Sequence, residues 1–552
     1  MPNAVDDALM AQLDRLGSAK EVAQHASIIG PEFQLGLLAS IMARPTDELS
    51  GLLQELVGSR IVVRSAASPD AYRFKHSLIH DISYRSLLRK NRRQIHLRVA
   101  RELSGTAAET GVANDELIAR HHSLGADYLE AIKFWQRGAR EAIARSANEE
   151  AIAMLQSALA DLKKVRGPEQ PALELDLILT QTMALRSVRG YSAPEVEQGL
   201  SRARVLCAVC GDANARFSVE WGLFQCTIVK GDIEGAKALA ADLLEHAGPE
   251  PGEAMIDAYL AKGMAAFNGN EFETSVKFFE AAVRLSRPET DQPRFLTHGQ
   301  IAGLFCLSYL ARAQCFLGYV DQARATIERA RAIAALRSDD PGHIHSSLNV
   351  AIHAVRIYHL CGDLEVERRL ASEIVEVARH NHYAYYEALG QCHLGWVAGV
   401  EGNLDEGIAI LTDGLAALRQ TGTTLALPPF YVLLAQLYVR AGRLDEAGQA
   451  MALGSKGHAV WAADIERVRG DIVAADWAAA EAAYRSSLEI ARSQRAGLFM
   501  CKAAVSLARL LQSRGRRKEG YQVLEECLAQ LYEGGDLPTV RQARSMVDEL
   551  QG

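Results

Sequence analysis

A glycine separating two amphipathic helical stretches returns about every 40 residues between positions 231 and 515 of this chain. Copies such as KGDIEGAKALAADL, CGDLEVERRLASEI and EGNLDEGIAILTDGL share one order: a helix end, the glycine, an acid or amide, and a second helix. Glycine accepts the left-handed conformation that ends a helix, and Asp or Asn caps the next one. The predicted turn glycines are Gly231, Gly269, Gly318, Gly362, Gly402, Gly442 and Gly515.

These helix pairs constrain the fold, because each pair has an apolar face that only a neighbouring pair can cover. A regular tetratricopeptide repeat has about 34 residues. The longer and drifting spacing here therefore predicts a tetratricopeptide-like α-solenoid. We expect the solenoid to span residues 106–552, with breaks between helix pairs near residues 168, 248 and 290.

Residues 1–105 follow a different pattern. Residues 9–30 and 33–42 are predicted to be helical, separated at Gly30-Pro31, and a capped helix follows. A β-branched strand over residues 61–63, a polar turn and a returning strand come next. Helices followed by a β-hairpin indicate a winged-helix arrangement. The predicted fold class is thus mainly α, a tetratricopeptide-like α-solenoid preceded by a small winged-helix-like α+β domain.

Composition is typical of a globular protein, with 49% hydrophobic and 23% charged residues. The net charge of -8 provides no overall attraction to nucleic acid or anionic lipid. The acidic N-terminal stretch does not resemble a signal peptide, and no apolar run reaches the ~20 residues of a membrane-spanning helix. Nine scattered cysteines favour a reducing compartment. We expect a cytoplasmic protein without a membrane or nucleic-acid partner.

The stretch FKHSLIHDISYRSLLRKNRRQIH, residues 74–96, is the first candidate site. His76 and His80 are four residues apart and share a helical face, as zinc ligands do. The H-E-x-x-H pattern is absent, and a third ligand would have to be Asp81 or His96. We favour the interpretation that these histidines cap or pack the junction between hairpin and helix.

Basic residues in the same stretch could neutralise phosphates, but they follow the expected wing and are interleaved with an apolar stripe. A solvated surface facing a neighbouring domain is the favoured reading, ahead of nucleotide-partner sensing or nucleic-acid binding. The residues predicted to contact a partner or neighbouring domain are His76, His80, Arg85, Arg89, Arg92 and Arg93.

Two further sequence features are weaker evidence for a functional site. CAVC, from Cys207 to Cys210, has thioredoxin-like spacing but lies in a helix-like stretch, so buried thiols are favoured. Aromatic residues recur on the repeat helices, among them Trp396 and Tyr484. Most are expected to pack between repeats, and a minority to line the concave groove. We predict no catalytic residues, no metal ligands and no cofactor.

Three ordered blocks at each end resemble a known family. The blocks are LDRLGSAKEVAQHASIIGPEF, LLQELVGSRIVVRS and YRFKHSLIHDISYRSLLRKNRRQIH, and later WAADIERVRGDIV, AAEAAYRSSLEIARSQ and YEGGDLPTVRQARSMVDEL. They resemble the region that follows the ATPase module in large bacterial signalling proteins. Those proteins join a class III adenylate/guanylate cyclase domain, an AAA/STAND signal-transduction ATPase and a tetratricopeptide-like array.

This resemblance implies a regulatory role rather than catalysis. The dipeptide Gly-Lys of a P-loop occurs nowhere, and the aspartate pair of a cyclase is missing. We therefore expect a non-catalytic regulatory and protein-interaction arm whose protein partner is a separately encoded cyclase or ATPase module. Two alternatives stay open: a stand-alone repeat adaptor that binds peptides, and the arm of a maltose-regulator-like transcription regulator.

Overall fold

The computed structural model describes residues 9–65, 68–110, 114–145, 147–249, 252–289, 301–336, 343–455 and 459–551. The chain forms two compact units. Unit 1 comprises Met1–Ile143 and Glu150–Leu177, and unit 2 comprises Ala144–Glu149 and Ile178–Gly552. The predicted breaks near residues 168 and 248 fall in loops between helices, and the one near 290 lies outside the described residues. The boundary between residues 105 and 106 stays a prediction.

Helices dominate both units. In chain order they are α1 (Ser18–Ile29), α2 (Leu35–Met42), α3 (Thr46–Gly58), α4 (Ser77–Arg85), α5 (Arg89–Thr110), α6 (Asp115–Leu124), α7 (Tyr128–Ala144), α8 (Asn148–Leu162), α9 (Gln170–Arg189), α10 (Pro194–Cys210), α11 (Ala213–Val229), α12 (Ile233–His246), α13 (Glu253–Asn268), α14 (Phe272–Leu285), α15 (Ala302–Leu317), α16 (Val320–Ala335), α17 (Ile344–Cys361), α18 (Leu364–His380), α19 (Ala384–Val400), α20 (Leu404–Gln420), α21 (Leu427–Arg440), α22 (Leu444–Gly454), α23 (Ala462–Ile472), α24 (Trp477–Ser493), α25 (Gly497–Ser513), α26 (Arg517–Leu528) and α27 (Pro538–Gln551). None of the helices in the described ranges is long and apolar enough to cross a membrane.

Unit 1 contains a small antiparallel sheet of β1 (Glu32–Gln34), β2 (Val62–Arg64) and β3 (Ala71–Phe74), in the order β1-β3-β2. The predicted hairpin is present as β2 and β3. The prediction of helix for residues 33 and 34 is wrong, because Phe33 pairs with Tyr72 and the two rings stack at a centroid distance of 6.0 Å. Burial of the Phe33 ring against β3 outweighs the continuous apolar pattern.

Unit 2 is an array of paired helices joined by tight turns. Six of the seven predicted turn glycines have a left-handed backbone: Gly231, Gly318, Gly362, Gly402, Gly442 and Gly515. At the seventh, Gly269 has φ of -86° and Asn270 takes the left-handed conformation with φ of 66°. Asparagine tolerates this region better than most residues. The prediction of a mainly helical chain, with a tetratricopeptide-like α-solenoid behind a small α+β segment, is confirmed.

The capping prediction holds at some turns and not at others. The side chain of Asp232 accepts a hydrogen bond from the backbone N–H of Gly235 at 2.9 Å, and Asp363 accepts one from Val366 at 3.2 Å. Asn403 makes no such bond to the start of α20. Stacking against the neighbouring pair therefore holds these helices in place more than the caps do.

Elements far apart in the sequence also meet within unit 2. The backbone N–H groups of Thr424 and Leu425 donate to the carbonyl oxygen of Val229 at 3.2 and 3.1 Å. Arg495 forms an ion pair with Glu273. These contacts join helix pairs about 200 residues apart, so the array closes on itself rather than contacting only adjacent pairs.

A carboxylate from the end of the array reinforces this closure. Glu533 accepts hydrogen bonds from the backbone N–H groups of Asp321 and Gln322 at 2.9 and 3.1 Å, at the start of α16. Burial opposes ionisation of Glu533, but a hydrogen bond from the side chain of Gln322 and these two backbone bonds outweigh it and lower its pKa. Arg324 and Asp536 pair beside it at 2.9 Å.

Helices α19 and α20 approach so closely that glycine is required between them. A Cβ on Gly407 would lie 2.5 Å from the Cα of Gly399 and 2.7 Å from the carbonyl oxygen of Gly395. Both neighbours are backbone atoms, which cannot rotate away as a side chain does. This contact fixes the position of α19.

We expect Gly407→Ala to lower the free energy of unfolding by about 1–3 kcal/mol, because overpacking forces the two helices apart. The matched control is Gly448→Ala in α22, an exposed helical glycine with nothing near the added Cβ. There alanine should raise stability by about 0.5–1 kcal/mol through helix propensity. Urea denaturation measures both. Equal effects of the two substitutions would contradict the close approach.

Candidate ligand-binding site

Unit 2 contains a cavity of about 460 Å³. Its wall is built mainly by α11, α13, α15, α17, α19, α21, α23 and α25, which are the first helices of successive pairs, and by α27. The first helix of each pair thus faces inward. Pockets for small ligands typically have volumes of roughly 300–1,000 Å³, so this cavity has the size of a ligand site.

Cationic side chains dominate the polar part of the wall. They are Arg312, Arg356, Arg440, Arg467, Lys502 and Arg509. Asp464 is the carboxylate that lines the cavity, and it is bound to Arg467 at 2.7 Å. Within the described residues, the other five cations have no carboxylate at ion-pairing distance. The wall therefore carries an excess of uncompensated positive charge.

Arg312 is the most buried of these cations, with 8% of its surface exposed. Its guanidinium lies 4.7 Å from the centre of the Phe267 ring, and its Nε is buried without a hydrogen-bond acceptor in the described part of the chain. Burial, reinforced by the charge of Arg356, lowers the pKa of Arg312 to about 9. The group therefore remains protonated at neutral pH.

Lys502 lies on α25, which packs against α15 through the Phe499 and Phe316 rings. It is half-buried, and its Nζ lies 5.8 Å from the centre of the Phe499 ring. Burial lowers the pKa of Lys502; Asp464 opposes this shift, and the charge of Arg467 adds to it. A bound anion would relieve the repulsion among these cations.

Six aromatic residues also line the wall. They are Phe267, Tyr309, Tyr385, Trp396, Phe430 and Trp461. Arg440 lies over the Trp396 ring at 5.6 Å, and Arg312 lies near the Tyr309 ring at 5.7 Å. The cavity thus presents flat apolar faces next to positive charge. Trp396 is one of the aromatic residues noted in the sequence, and it is among the minority expected to line the groove.

A buried hydrogen-bonded triad supports the cavity wall. Glu367 is fully buried, and one of its oxygens contacts Nδ1 of His393 at 2.7 Å and Nδ1 of His359 at 3.0 Å. Burial raises the pKa of Glu367, but the charge of His359 and the hydrogen bonds from both histidines outweigh it and lower the pKa to about 2. Glu367 is therefore ionised at neutral pH. His359 and His393 both line the cavity.

The same three side chains have donor atoms within 4.8 Å of one another, as metal ligands do. Two histidines and a glutamate form a known zinc set. Here both Nδ1 atoms are instead at hydrogen-bond distance from the carboxylate. Burial lowers the pKa of His393, although Glu367 opposes this shift, and the charge of Arg356 lowers it further. A metal cation would add to that positive charge, so we interpret the triad as a hydrogen-bond network.

The sequence contained a signal for this face that the motif search missed. Arg312, Arg356, Trp396, Gln436 and Arg509 line the cavity, and each lies six residues before a turn glycine. Positions in the same register of a repeat face the same way. Aligning the repeats on their glycines would therefore have identified the concave face and its arginines.

The six predicted contact residues lie in unit 1, around the junction of α4 and α5. His76 is exposed at the start of α4 and makes no capping bond through its side chain. His80 lies edge-on to the Phe74 ring at 5.3 Å and contacts Asp81 at 3.0 Å. Arg85 and Arg89 are exposed. The packing predicted for the histidines is seen at His80, whereas His76 makes no side-chain bond.

His96, considered above as a third zinc ligand, is buried away from His76. Its Nδ1 contacts Nδ1 of His121 at 2.9 Å, and its Nε2 contacts the Tyr84 hydroxyl at 3.1 Å. Burial and the charge of the neighbouring ring lower the pKa of His96 to about 3. Burial, followed by the charge of Arg120, lowers the pKa of His121 to about 4. Both rings are therefore neutral at pH 7, and one of them donates its Nδ1–H to the Nδ1 of the other in the core of unit 1.

The cysteines of CAVC lie on α10, where Cys207 is buried and Cys210 is half-buried. Both are free thiols, and burial raises the pKa of Cys207. Among the described residues, the cluster with metal-ligand spacing is that of His359, Glu367 and His393, and it does not include Cys207 or Cys210.

Comparison with known proteins gives matches of three kinds. Residues 256–288, which include most of α13 and α14, match the model of the tetratricopeptide repeat family. An uncharacterized protein of Rhizobium meliloti (strain 1021) is 24% identical over 535 residues, which cover 92% of this chain and 50% of the relative. The chain thus spans half the length of that curated relative. The family match and the repeated helix pairs show a tetratricopeptide-type helical repeat protein.

Solved structures of helical-repeat proteins are also similar. The Cut9–Hcn1 hetero-tetramer of the APC/C matches with a TM-score of 0.45 and 11% identity, and the match covers 85% of this chain and 98% of that one. A Signal Transduction ATPase with Numerous Domains that has a tetratricopeptide repeat sensor, from Pyrococcus horikoshii, gives a TM-score of 0.30 and 14% identity. That match covers 96% of this chain and 64% of the other.

Stability should fall with acidity because of the His96–His121 pair. The folded pKa values are depressed to about 3 and 4, whereas the unfolded values are near 6.5. The unfolded chain therefore binds more protons below pH 6.5, and the stabilisation is lost as pH falls from about 6.5 through 4 to 3. Thermal midpoints measured from pH 7 to pH 4 should decline. His121→Gln should flatten this decline, whereas His76→Gln, at an exposed position, should leave it as in the wild type.

Glu367→Gln should lower the free energy of unfolding by about 1–3 kcal/mol, because the amide leaves a buried N–H group without an acceptor. Glu365→Gln, at an exposed position of the same helix, is the control and should change little. Calorimetry measures both variants. If Zn²⁺ raised the melting temperature of the wild type and not of Glu367→Gln, the hydrogen-bond interpretation would be wrong.

Proposed function

We propose that the chain is a non-catalytic regulatory and protein-interaction arm of an adenylate cyclase- or STAND ATPase-type signalling protein. The winged-helix-like segment of unit 1 docks on a nucleotide-binding module. The repeat array of unit 2 senses a ligand or partner. The sequence blocks at both ends motivate the family, and the following surface supports the docking role.

The observation that carries the proposal is a connector patch, defined as residues 85–93 of unit 1. Arg85 and Arg89 are exposed and, among the described residues, have no carboxylate partner. Leu88 between them is 73% exposed. Arg92 lies over the Tyr84 ring at 5.0 Å. Exposed apolar surface flanked by cations is typical of a protein contact site.

The mechanism we propose is a population shift. Contacts between distant helix pairs hold the array of unit 2 closed, among them those of Thr424 and Leu425 with Val229. A ligand that binds the closed array more tightly than an opened one shifts the population towards closure. A partner that distinguishes the two states then responds to the ligand.

A stand-alone adaptor that binds peptides is the second candidate. It is favoured by the inward-facing helices of the array, which line a cavity as concave repeat surfaces do. The two candidates differ in the partner: an adaptor needs no cyclase or ATPase module.

The test is affinity capture with the whole chain as bait, followed by identification of bound proteins by mass spectrometry. The bait Arg85→Glu/Arg89→Glu should lose a P-loop ATPase or class III cyclase that the wild type retains, because charge reversal makes the patch repulsive to its partner. The control bait Lys163→Glu/Arg166→Glu reverses exposed cations elsewhere in unit 1. It should retain the partner.

Two results would count against the arm. Capture of an unrelated protein by all three baits, without any cyclase or ATPase, favours the adaptor. Equal capture of the ATPase or cyclase by the two charge-reversed baits shows that the connector patch is not the docking surface.

A further inference from the structure

We propose that the cavity of unit 2 binds a small polyanion that carries a planar ring, of the nucleoside diphosphate class. This inference rests on the proposed sensing role and specifies the ligand class of the array. The site consists of the cations Arg312, Arg356, Arg440, Lys502 and Arg509 and the aromatic rings beside them.

The charge of the wall selects an anion. The whole chain has a net charge of -8, so acidic side chains are abundant. Yet in the described structure five cations line this cavity without a carboxylate partner, and its carboxylate, Asp464, is held by Arg467. Arg312 is buried and Arg356 and Lys502 are half-buried in this wall, whereas Arg440 and Arg509 are exposed. A ligand with two or three negative charges would pair with several of these cations, whereas a neutral ligand or a metal ion would not.

Arg312 shows that the charge is costly without a ligand. Its guanidinium is almost fully buried, its Nε lacks an acceptor among the described residues, and Arg356 is its charged neighbour. A buried and unpaired cation destabilises the protein in which it is found. Residues that reduce stability in this way are typical of binding sites, where the ligand supplies the missing partner.

The aromatic wall selects a ring. The Trp396 and Tyr309 rings each lie beside a guanidinium. Side chains of this kind stack on the face of a nucleobase, and the adjacent cations bind its phosphates. A compact anion such as pyrophosphate would use the cations and leave the rings uncovered.

The closure of the array limits the size of the ligand. Helices from both ends of unit 2 line the cavity, and Val229 and Leu425, whose backbones are hydrogen-bonded, are part of its wall. The volume of about 460 Å³ matches a small molecule. An acidic peptide threaded through the array would need these contacts to open.

The experiment is calorimetric titration and thermal denaturation of the whole chain without divalent metal ions. The probes are ADP, pyrophosphate, adenosine and an oligoglutamate peptide. ADP should raise the melting temperature and bind with measurable heat. Adenosine, which lacks charge, should have no effect at millimolar concentration, and pyrophosphate should bind more weakly than ADP.

Variants assign the effect to the cavity. Arg312→Gln and Lys502→Gln should each weaken ADP binding by about tenfold or more, because each removes a charged partner of the phosphates. Arg312→Gln should also raise the melting temperature of the ligand-free protein, which shows that the variant folds. The controls Arg419→Gln and Lys518→Gln remove exposed cations outside the cavity and should retain wild-type binding.

The outcomes separate this inference from the docking role, because none of these measurements requires a partner protein. Failure of both ADP and pyrophosphate to bind would overturn the anion site. Equal binding of ADP and pyrophosphate would overturn the stacking part, and a response to oligoglutamate alone would assign the cavity to peptides. Loss of ADP binding in the control variants would show that the site lies elsewhere.

Discussion

The contact of the repeat array with itself is the interaction on which the rest of unit 2 depends. A solenoid whose pairs touched only their neighbours would present its inner helices as an open groove. Here the backbone of Val229 accepts two hydrogen bonds from Thr424 and Leu425, and Glu533 binds the start of α16. These bonds bring inward-facing side chains from distant pairs around one volume. The position of each cation in the cavity therefore depends on closure of the whole array.

Because closure brings the cavity cations together, residues suited to binding an anion lower the stability of the ligand-free array. The large apolar core of the repeats stabilises the closed array. Arg312, Arg356 and Lys502 on its inner face oppose closure, because closing partly removes them from water and brings them together. When a polyanion is bound, its attraction to the cations makes the electrostatic free energy of closure favourable instead of unfavourable. Ligand binding and closure are then thermodynamically linked, and each favours the other.

The sequence predicted the helices and turns far better than the way in which the helix pairs pack together. Turn glycines and amphipathic helices are local signals, so the paired helices and six of the seven left-handed turns could be read directly. The strand at Phe33 could not, because its conformation depends on pairing with β3 more than 30 residues away. The repeat register would have placed Arg312 and Arg356 on the inner face. Closure could not be predicted, since it depends on small rotations that accumulate over many pairs.

The triad of Glu367, His359 and His393 holds one side of the cavity wall in a fixed conformation. Glu367 is ionised and fully buried, so both histidines are oriented by a partner that cannot move into water. His393 also lies on α19, whose position is fixed by the glycine contact with α20. The aromatic and histidine side of the cavity is therefore preorganised. The arginines and Lys502 have no carboxylate anchor among the described residues, and aromatic rings hold some of them instead, as Phe267 does Arg312 and Trp396 does Arg440.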